Sequence, residues 1–284
     1  MGGVVEIGYQ GWIQTSPLSG NFTSPFDINF NLTRSVQKLS FQDASDYTAN
    51  LISKKYDKLH LCFSGGLDSE FVAKVLIRNN ILFTPIILLT QYNELESWYA
   101  YKFCNDNKLT PIILDVRSND KNFSLLKSLL SKSAKLQVAP HPSLISNVIA
   151  EMLPNVCLIT GSGESINDSV KFDNVVGDTA ILYGWSFYLE LEYVDQHPGA
   201  FFSYTPEIFY SHNNEINKNK NSQIAKSELY GILPRPKFWY NPLNFNIPEI
   251  NSLNKNLSKK FHRPNNISCW TMPRAKLLKK LIDY

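Results

Sequence analysis

The sequence predicts an α/β protein built on an open parallel β-sheet with helices on both faces. Short apolar segments alternate with amphipathic segments of about 10–15 residues, which is the pattern of right-handed βαβ units. Two of the apolar segments run directly into glycine-rich turns, at residues 64–66 and 161–163. The composition, 43% hydrophobic and 19% charged, is ordinary for a folded globular chain.

The individual elements follow from hydrophobic spacing along the chain. Phe41, Ala44 and Tyr47 recur at helical spacing and begin the first predicted helix. A near-continuous apolar run at 82–89 is typical of a strand buried on both faces of a parallel sheet. In chain order, the predicted elements are helix 40–55, strand 59–63, helix 70–78, strand 82–89, helix 94–105, strand 111–116, helices 122–131 and 143–152, and strand 155–160.

The segments that flank these elements have a different character, so three parts are predicted. Residues 1–39 lack sustained periodicity and are predicted to form an N-terminal arm. Residues 40–165 hold the alternating strands and helices and form the core domain. Residues 166–284, rich in aromatic side chains, asparagine and proline, are predicted to form a mixed C-terminal extension that serves as a substrate wall or lid.

Composition also narrows the classes of function. A net charge of +3 on 284 residues is too small to demand a nucleic-acid partner. No apolar run approaches the roughly 20 residues that cross a bilayer. The N-terminus lacks the basic start and apolar core of a signal peptide. We therefore expect a cytoplasmic protein with no membrane partner.

The most informative motif is Ser-Gly-Gly-Leu-Asp-Ser, residues 64–69, between the first core strand and the helix after it. Glycines let the backbone approach an anion closely, while free N–H groups and the positive end of the helix point at the same place. The motif resembles the PP-loop of the ATP pyrophosphatase (adenine nucleotide α-hydrolase) superfamily. It differs from the P-loop of nucleoside triphosphatases, which carries a lysine before Ser/Thr. A solvated turn that only mimics the motif is the alternative.

This resemblance implies a Rossmann-like (HUP-type) fold whose core binds ATP with Mg²⁺. At the corresponding motif position, the carboxylate of superfamily members binds magnesium, so Asp68 is the predicted metal ligand and a predicted catalytic residue. The other motif residues are expected to hold the phosphates: Ser64, Gly65, Gly66, Leu67 and Ser69. In a purely structural role, Asp68 or Ser69 would only cap the helix.

A second glycine turn follows the fourth core strand. Ligands of open α/β sheets bind beyond the carboxyl ends of the strands, so both turns are expected at one edge. Asparagine and β-lactam synthetases carry a Gly-x-Gly-x-Asp turn here, whose acid helps to hold magnesium. In this chain Glu164 lies one position early; it is the second predicted metal ligand, with Asp168 as a substitute and an exposed loop carboxylate as the alternative. The nucleotide contacts expected from this turn are Gly161, Ser162 and Gly163.

The resemblance also places adenine at the end of the second core strand, near Leu89 and Thr90. Expulsion of pyrophosphate needs cations that stabilise charge on the leaving oxygens. Lys237, in a proline-flanked segment, and Lys276, in the basic C-terminal stretch, are the predicted catalytic cations. For each cation alone, a solvated surface charge is the alternative. Three further cations are candidates: Lys226, Arg235 and Arg274.

The implied activity is that of an asparagine-synthetase-like ligase. A carbonyl or carboxylate oxygen of a small-molecule substrate would attack the α-phosphorus of ATP and release pyrophosphate. A nitrogen nucleophile would then displace AMP. Gly2 stands where glutamine-fuelled asparagine synthetases carry a cysteine, so no glutaminase domain is expected. Ammonia would then come from solution or from a partner protein, or another amine would attack.

Two other functions stay open. One is modification of a nucleobase or tRNA, which the modest charge and the absence of a Cys-x-x-Cys pair among the four cysteines disfavour. The other is a protein that binds ATP or AMP without turnover, which the displaced acid of the second turn favours. The sequence leaves the substrate, the nucleophile and the oligomeric state open.

Overall fold

A computed structural model describes the chain over residues 4–15, 28–90, 93–136, 144–165, 179–193, 195–217, 220–235 and 269–282. The strands are β1 (Val5–Ile7), β2 (Ile13–Thr15), β3 (Ile28–Phe30), β4 (Leu59–Cys62), β5 (Phe83–Leu89), β6 (Ile112–Asp115), β7 (Cys157–Thr160), β8 (Thr179–Tyr183), β9 (Gly199–Ala200) and β10 (Cys269–Pro273). The helices are α1 (Phe41–Lys55), α2 (Leu67–Arg78), α3 (Glu94–Asp106), α4 (Asn119–Leu136), α5 (Ile145–Met152), α6 (Tyr188–Glu192), α7 (Pro206–Glu215), α8 (Ser222–Tyr230) and α9 (Arg274–Ile282).

The central feature is a parallel sheet whose strands lie in the order β6-β5-β4-β7-β9. The chain enters at β4, runs outward through β5 to β6, and returns to the other side of β4 as β7. Chain order therefore reverses between β4 and β7, the two strands that carry the glycine turns. The predicted Rossmann-like α/β fold is confirmed, because the sheet is open, parallel and covered by helices on both faces.

The two faces of the sheet have separate hydrophobic cores because successive strand residues point in opposite directions. Ile159 and Ile87 pack with the apolar faces of α1, α2 and α3. Leu158 and Ile86 pack on the other side with side chains of α5 and α6. Since β5 is buried on both faces, its sequence is apolar almost throughout.

Local sequence signals set the helix that precedes β4. Ser40 adopts an extended backbone before α1, and its hydroxyl accepts a hydrogen bond from the Asp43 N–H at 3.1 Å, as an N-cap does. Lys54 and Lys55 occupy the last turn, where positive charge suits the helix dipole. This helix is predicted over residues 40–55 and observed over Phe41–Lys55, so the two ranges differ by one residue at the start and agree at the end.

The N-terminal arm forms a small antiparallel sheet in the order β1-β2-β3. Trp12 and Phe30 of the arm pack with Phe209 of α7 and Leu277 of α9 in a third core, separate from the two cores of the parallel sheet. The indole N–H of Trp12 donates to the carbonyl of Ser203 at 2.9 Å. The arm is therefore joined to the C-terminal extension.

The extension contributes to the parallel sheet as well as to this third core. Strand β9 pairs with β7 through Ile159 opposite Gly199 and Thr160 opposite Ala200, so the sheet continues past the predicted boundary at residue 165. Strands β8 and β10 pair antiparallel as a separate two-stranded sheet. Within the described ranges, no helix combines the length and the apolar character needed to span a bilayer.

Candidate active site

The first glycine turn joins β4 to α2 at the carboxyl edge of the sheet. Gly65 has a φ of +85°, and a Cβ there would lie 2.5 Å from the Glu96 carbonyl oxygen, so this position needs glycine. The Ser64 hydroxyl accepts from the Gly66 N–H at 3.2 Å and lies 3.2 Å from the Ser69 hydroxyl. Gly66 is the N-cap and makes no side-chain capping bond. The N–H groups of the first turn of α2 are thus available to an anion.

The second glycine turn packs directly against the first. A Cβ on Gly161 would lie 2.7 Å from the Ser69 amide nitrogen and 2.8 Å from the Asp68 carbonyl carbon. Gly163 has a φ of +91°, again a conformation that favours glycine. The Ser162 carbonyl accepts a hydrogen bond from the Phe202 N–H at 3.0 Å, which ties this turn to the extension. The two turns meet because a hydrogen atom stands where a side chain would otherwise separate them.

A cleft of about 510 Å³ opens at this junction, which is within the usual size of a small-molecule site. Its floor is the first turn, Ser64 to Ser69, beside Gly161 and Ser162 of the second. The apolar wall comes from β5 and from the helices that cover the same face of the sheet: Ile86, Leu88, Ile145, Ile149 and Leu189. Polar side chains line the remainder: Asn93, Glu96, Tyr99, Ser186, Gln223 and Arg235. The extension therefore forms part of the wall of the cleft.

Asp68 is the acid at the base of the cleft, and its carboxylate is held on both oxygens. Lys226 of α8 donates to Oδ2 at 2.8 Å, and the Tyr230 hydroxyl donates to Oδ1 at 2.9 Å. Lys226 also donates to Oε1 of Glu164 at 2.8 Å. The Tyr230 ring stacks on Phe71 of α2, with ring centroids 4.6 Å apart. One turn of α8 thus fixes the orientation of the acid in the first turn.

The protonation states in this cluster follow from burial and charge. Burial disfavours the Lys226 ammonium, but the Asp68 and Glu164 carboxylates outweigh this and raise its pKa. Burial and the charge of Asp68 raise the pKa of Tyr230, which therefore remains a neutral donor. Because that proton goes to Asp68, His212 donates from Nε2 to the Tyr230 oxygen at 3.2 Å. Burial, with Lys226 and Arg274 adding to it, lowers the pKa of His212 to about 3, so the ring is neutral near pH 7.

The two predicted magnesium ligands, Asp68 and Glu164, differ in how accessible they are from the cleft. Asp68 lines the cleft, and its side chain is 28% exposed, so its oxygen lone pairs can reach a metal bound with ATP phosphates. Glu164 is 12% exposed, its Oε1 accepts from Lys226, and it is not among the described residues that line the cleft. Glu164 is thus a hydrogen-bond partner of Lys226, and the assignment of both acids to magnesium stays a prediction.

Arg235 and Glu96 bring opposite charges to the cleft. The Arg235 guanidinium lies over the Tyr99 ring, 4.5 Å from its centroid, and Nη2 contacts the Glu70 carboxylate. Nη1 of Arg235 is buried and has no partner among the residues described. Burial raises the pKa of Glu96 to about 7. Both groups would respond to a charged ligand in the cleft.

The structure brings together most of the predicted phosphate contacts but not every predicted residue. Leu89 points to the face of the first core, whereas Leu88 lines the cleft. Thr90 is buried and donates to the Asn93 side chain. The assignment of Leu89 and Thr90 to adenine stays a prediction.

Of the candidate cations, Lys226 contacts Asp68 and Arg235 lines the cleft, but the others are not placed there. Lys276 is exposed on α9 and is not among the described residues that line the cleft. Arg274 is buried, and its Nη2 donates to the Ile216 carbonyl. Lys237 and Asp168 lie outside the described residues. The catalytic roles of Lys237 and Lys276 stay predictions.

Sequence reasoning missed Tyr230, His212 and Glu96. Lys226 and Tyr230 stand four residues apart just before Gly231, whose φ of +62° ends α8. The four-residue spacing predicts that Lys226 and Tyr230 lie on the same face of a helix. It does not predict which residue they contact elsewhere in the fold. The partner, Asp68, is 162 residues from Tyr230.

No protein-family model matches the chain, and no curated protein matches it either. Solved structures resemble it, and three of them are described here. NH3-dependent NAD synthetase from Campylobacter jejuni is 17% identical, with 86% of this chain and 94% of that one covered at a TM-score of 0.36. NMN synthetase from Francisella tularensis is 14% identical over 79% and 97%, with a TM-score of 0.34.

The third is a predicted subunit of tRNA methyltransferase from Methanocaldococcus jannaschii. It is 12% identical, with 62% of this chain and 89% of that one covered, and the TM-score is 0.32. Similarities of this degree carry no inference about substrate or reaction. The site described above therefore rests on the geometry of this chain.

Proposed function

We propose that the chain is an ATP pyrophosphatase-type ligase that binds ATP with magnesium in the cleft between the two glycine turns. The observation that carries this proposal is the meeting of the turns at the point where chain order reverses. Gly161 lies against Ser69 so closely that no side chain fits between them. Open helix N–H groups, two serine hydroxyls and one carboxylate then converge on one cleft.

The chemistry of these groups suits a polyphosphate. Backbone N–H groups at the start of α2 and the hydroxyls of Ser64 and Ser69 can donate to phosphate oxygens. Asp68 would hold magnesium, which neutralises part of the charge that develops on the leaving pyrophosphate. Arg235, with a buried Nη1 that has no described partner, is a cation of the cleft wall that can add to this.

The reaction we propose is AMP-forming. An oxygen of a small-molecule carbonyl or carboxylate attacks the α-phosphorus, the bond to the bridging oxygen breaks, and pyrophosphate leaves. A nitrogen nucleophile then displaces AMP from the activated substrate, in the manner of asparagine synthetases. The protein contributes positioning and charge stabilisation. The apolar side of the cleft, formed by Ile86, Leu88 and Leu189, offers a surface for the adenine ring.

Calorimetric titration with ATP and Mg²⁺ tests the binding step. We expect saturable, magnesium-dependent binding that Asp68→Asn weakens at least tenfold, about 1.4 kcal/mol. Asp106→Asn is the matched control, because Asp106 is an exposed aspartate at the far end of α3 whose partner is Lys102. Absence of ATP binding to the wild-type protein would refute the proposal.

Exchange of labelled pyrophosphate into ATP tests the chemistry. Pools of amino acids and other carboxylates are added with ATP and Mg²⁺, and exchange reports reversible adenylation before any nucleophile is known. We expect exchange with at least one pool and AMP, not ADP, as the nucleotide product. ATP binding with no exchange in any pool would instead favour a nucleotide-binding protein without turnover.

A further inference from the structure

The Lys226 ammonium lies at the point that two carboxylates share. Its Nζ is 2.8 Å from Oδ2 of Asp68 and 2.8 Å from Oε1 of Glu164. Two carboxylates that converge on one point are what a divalent cation would use. In this chain that point is taken by a side chain of the extension.

The lysine is held firmly in this position. Its side chain is 11% exposed, so the ammonium has little access to water. Tyr230, four residues further along α8, donates to the other oxygen of Asp68, and its ring stacks on Phe71. The contacts of Tyr230 thus hold the part of α8 that carries Lys226 against α2.

The charges explain why the lysine is needed. Asp68 and Glu164 come from two turns that Gly161 brings into contact, and their mutual repulsion in a buried site would be costly. One ammonium between them offsets this repulsion. Asp68 still lines the cleft, whereas Glu164 does not.

We propose that the Lys226 ammonium takes the place of a metal ion between Asp68 and Glu164. Glu164 is then a positioning residue that holds Lys226, and Asp68 is the one carboxylate of this pair that serves magnesium. Each carboxylate oxygen would need to move by less than about 1 Å to bind magnesium in place of the ammonium, since Mg–O distances are about 2.0–2.1 Å. Removal of the lysine should therefore create a metal site.

The first experiment measures metal binding without nucleotide, so it does not depend on the proposed function. Melting temperatures of wild type and Lys226→Met are followed during titration with MnCl2 and MgCl2. We expect a saturable rise of several degrees in Lys226→Met, because an ion that binds only the folded state stabilises it. The wild type should show no such rise. The double variant Lys226→Met/Glu164→Gln should lose it again.

Several results would overturn the inference. One is a folded Lys226→Met variant with no gain in metal response. Another is a wild-type metal response that Glu164→Gln abolishes. If Lys226→Met folds only when Mn²⁺ is present, that metal rescue supports the inference. If it folds under neither condition, the comparison of ATP affinity in wild type and Glu164→Gln, described next, decides.

A second experiment uses ATP and does rest on the proposed function. ATP affinity is measured with and without Mg²⁺ for wild type and Glu164→Gln. If Glu164 holds Lys226, the factor by which magnesium strengthens ATP binding should be the same in both proteins. A tenfold smaller factor in Glu164→Gln would identify Glu164 as a metal ligand and overturn the inference, while ATP binding itself would still support the proposed function. A wild-type protein that does not bind ATP would refute the proposed function and leave the inference about Lys226 to the metal experiment.

Discussion

The two glycine turns lie side by side at one edge of the sheet, yet they face different surroundings. The first turn lines the cleft along its whole length, with an open helix N-terminus above it. The second contributes Gly161 and Ser162 to the cleft, but its acid points to Lys226 and its backbone to the extension. Two similar glycine-rich turns after neighbouring strands can therefore differ in role. The first lines the cleft, whereas the second mainly connects the core to the extension through its contacts with Lys226 and Phe202.

The closest contact between the turns should be the most sensitive to mutation. Gly161→Ala places a methyl group against the backbone of Asp68 and Ser69, neither of which can move without shifting α2. We expect the free energy of unfolding to fall by about 3 kcal/mol and ATP binding to be lost. Urea denaturation and calorimetry measure the two effects.

Gly231→Ala is the control for this variant. Gly231 has a φ of +62° but no neighbour within 4 Å of an added Cβ, so only backbone strain is introduced. We expect a loss of about 1 kcal/mol with ATP binding retained. Equal losses in the two variants would show that contact between the turns is not a tight constraint.

Beside the second turn, where β9 pairs with β7, the buried Glu190 should make the free energy of unfolding fall as the pH rises. Glu190 is buried beside β9, accepts from the Ala200 N–H at 2.8 Å, and burial raises its pKa to about 7. The folded state therefore keeps this proton while the unfolded state releases it, so stability falls between about pH 4.5 and 7. Glu190→Gln should be more stable than wild type by roughly 3 kcal/mol at pH 8 and nearly equal at pH 4. An unchanged difference between these pH values would contradict this.

His212 donates to the Tyr230 hydroxyl, which in turn donates to Asp68 of the first turn. It should make the free energy of unfolding depend on pH in the opposite sense. The folded-state pKa of His212 is lowered from 6.5 to about 3, so the unfolded state binds a proton first as the solution is acidified. Stability should fall below about pH 6.5, by roughly 2 kcal/mol at pH 5. His212→Gln can still donate to Tyr230 but does not titrate. Urea denaturation at pH 7 and pH 5 should show a smaller acid loss in this variant, and an equal loss would exclude His212 as the cause.

The smallest effect is expected from Glu96, which lies on the cleft side of the first turn, and it concerns the pH dependence of ATP binding. One carboxylate oxygen of Glu96 lies 3.7 Å from where a Cβ of Gly66 would be, beside the expected phosphate position. Ionisation of Glu96 as the pH rises through about 7 should repel phosphate and weaken ATP binding about three- to tenfold. Glu96→Gln should remove this dependence in titrations at pH 6 and pH 8. Glu94→Gln, on the exposed side of α3, is the control and should keep the wild-type profile.

Much of the fold was predictable because its signals are local. The apolar run of β5 reflects burial on both faces, and the cap at Ser40 marks the start of α1. The position of both glycine turns at one edge followed from the rule that parallel strands end together. By contrast, the two-residue strand β9 is too short to produce a period, so its place in the sheet was not predicted.

The sequence by itself determined the parallel sheet, its first four strands and the glycine turn that presents Asp68, because strand periodicity and turn chemistry act over a few residues. Only the tertiary structure decided what surrounds that acid. Lys226 is 158 residues from Asp68 and 62 from Glu164, and no local pattern specifies which charges meet across such separations. Their pairing depends on how α8 packs on α2, and it is this packing that makes Glu164 a partner of a lysine.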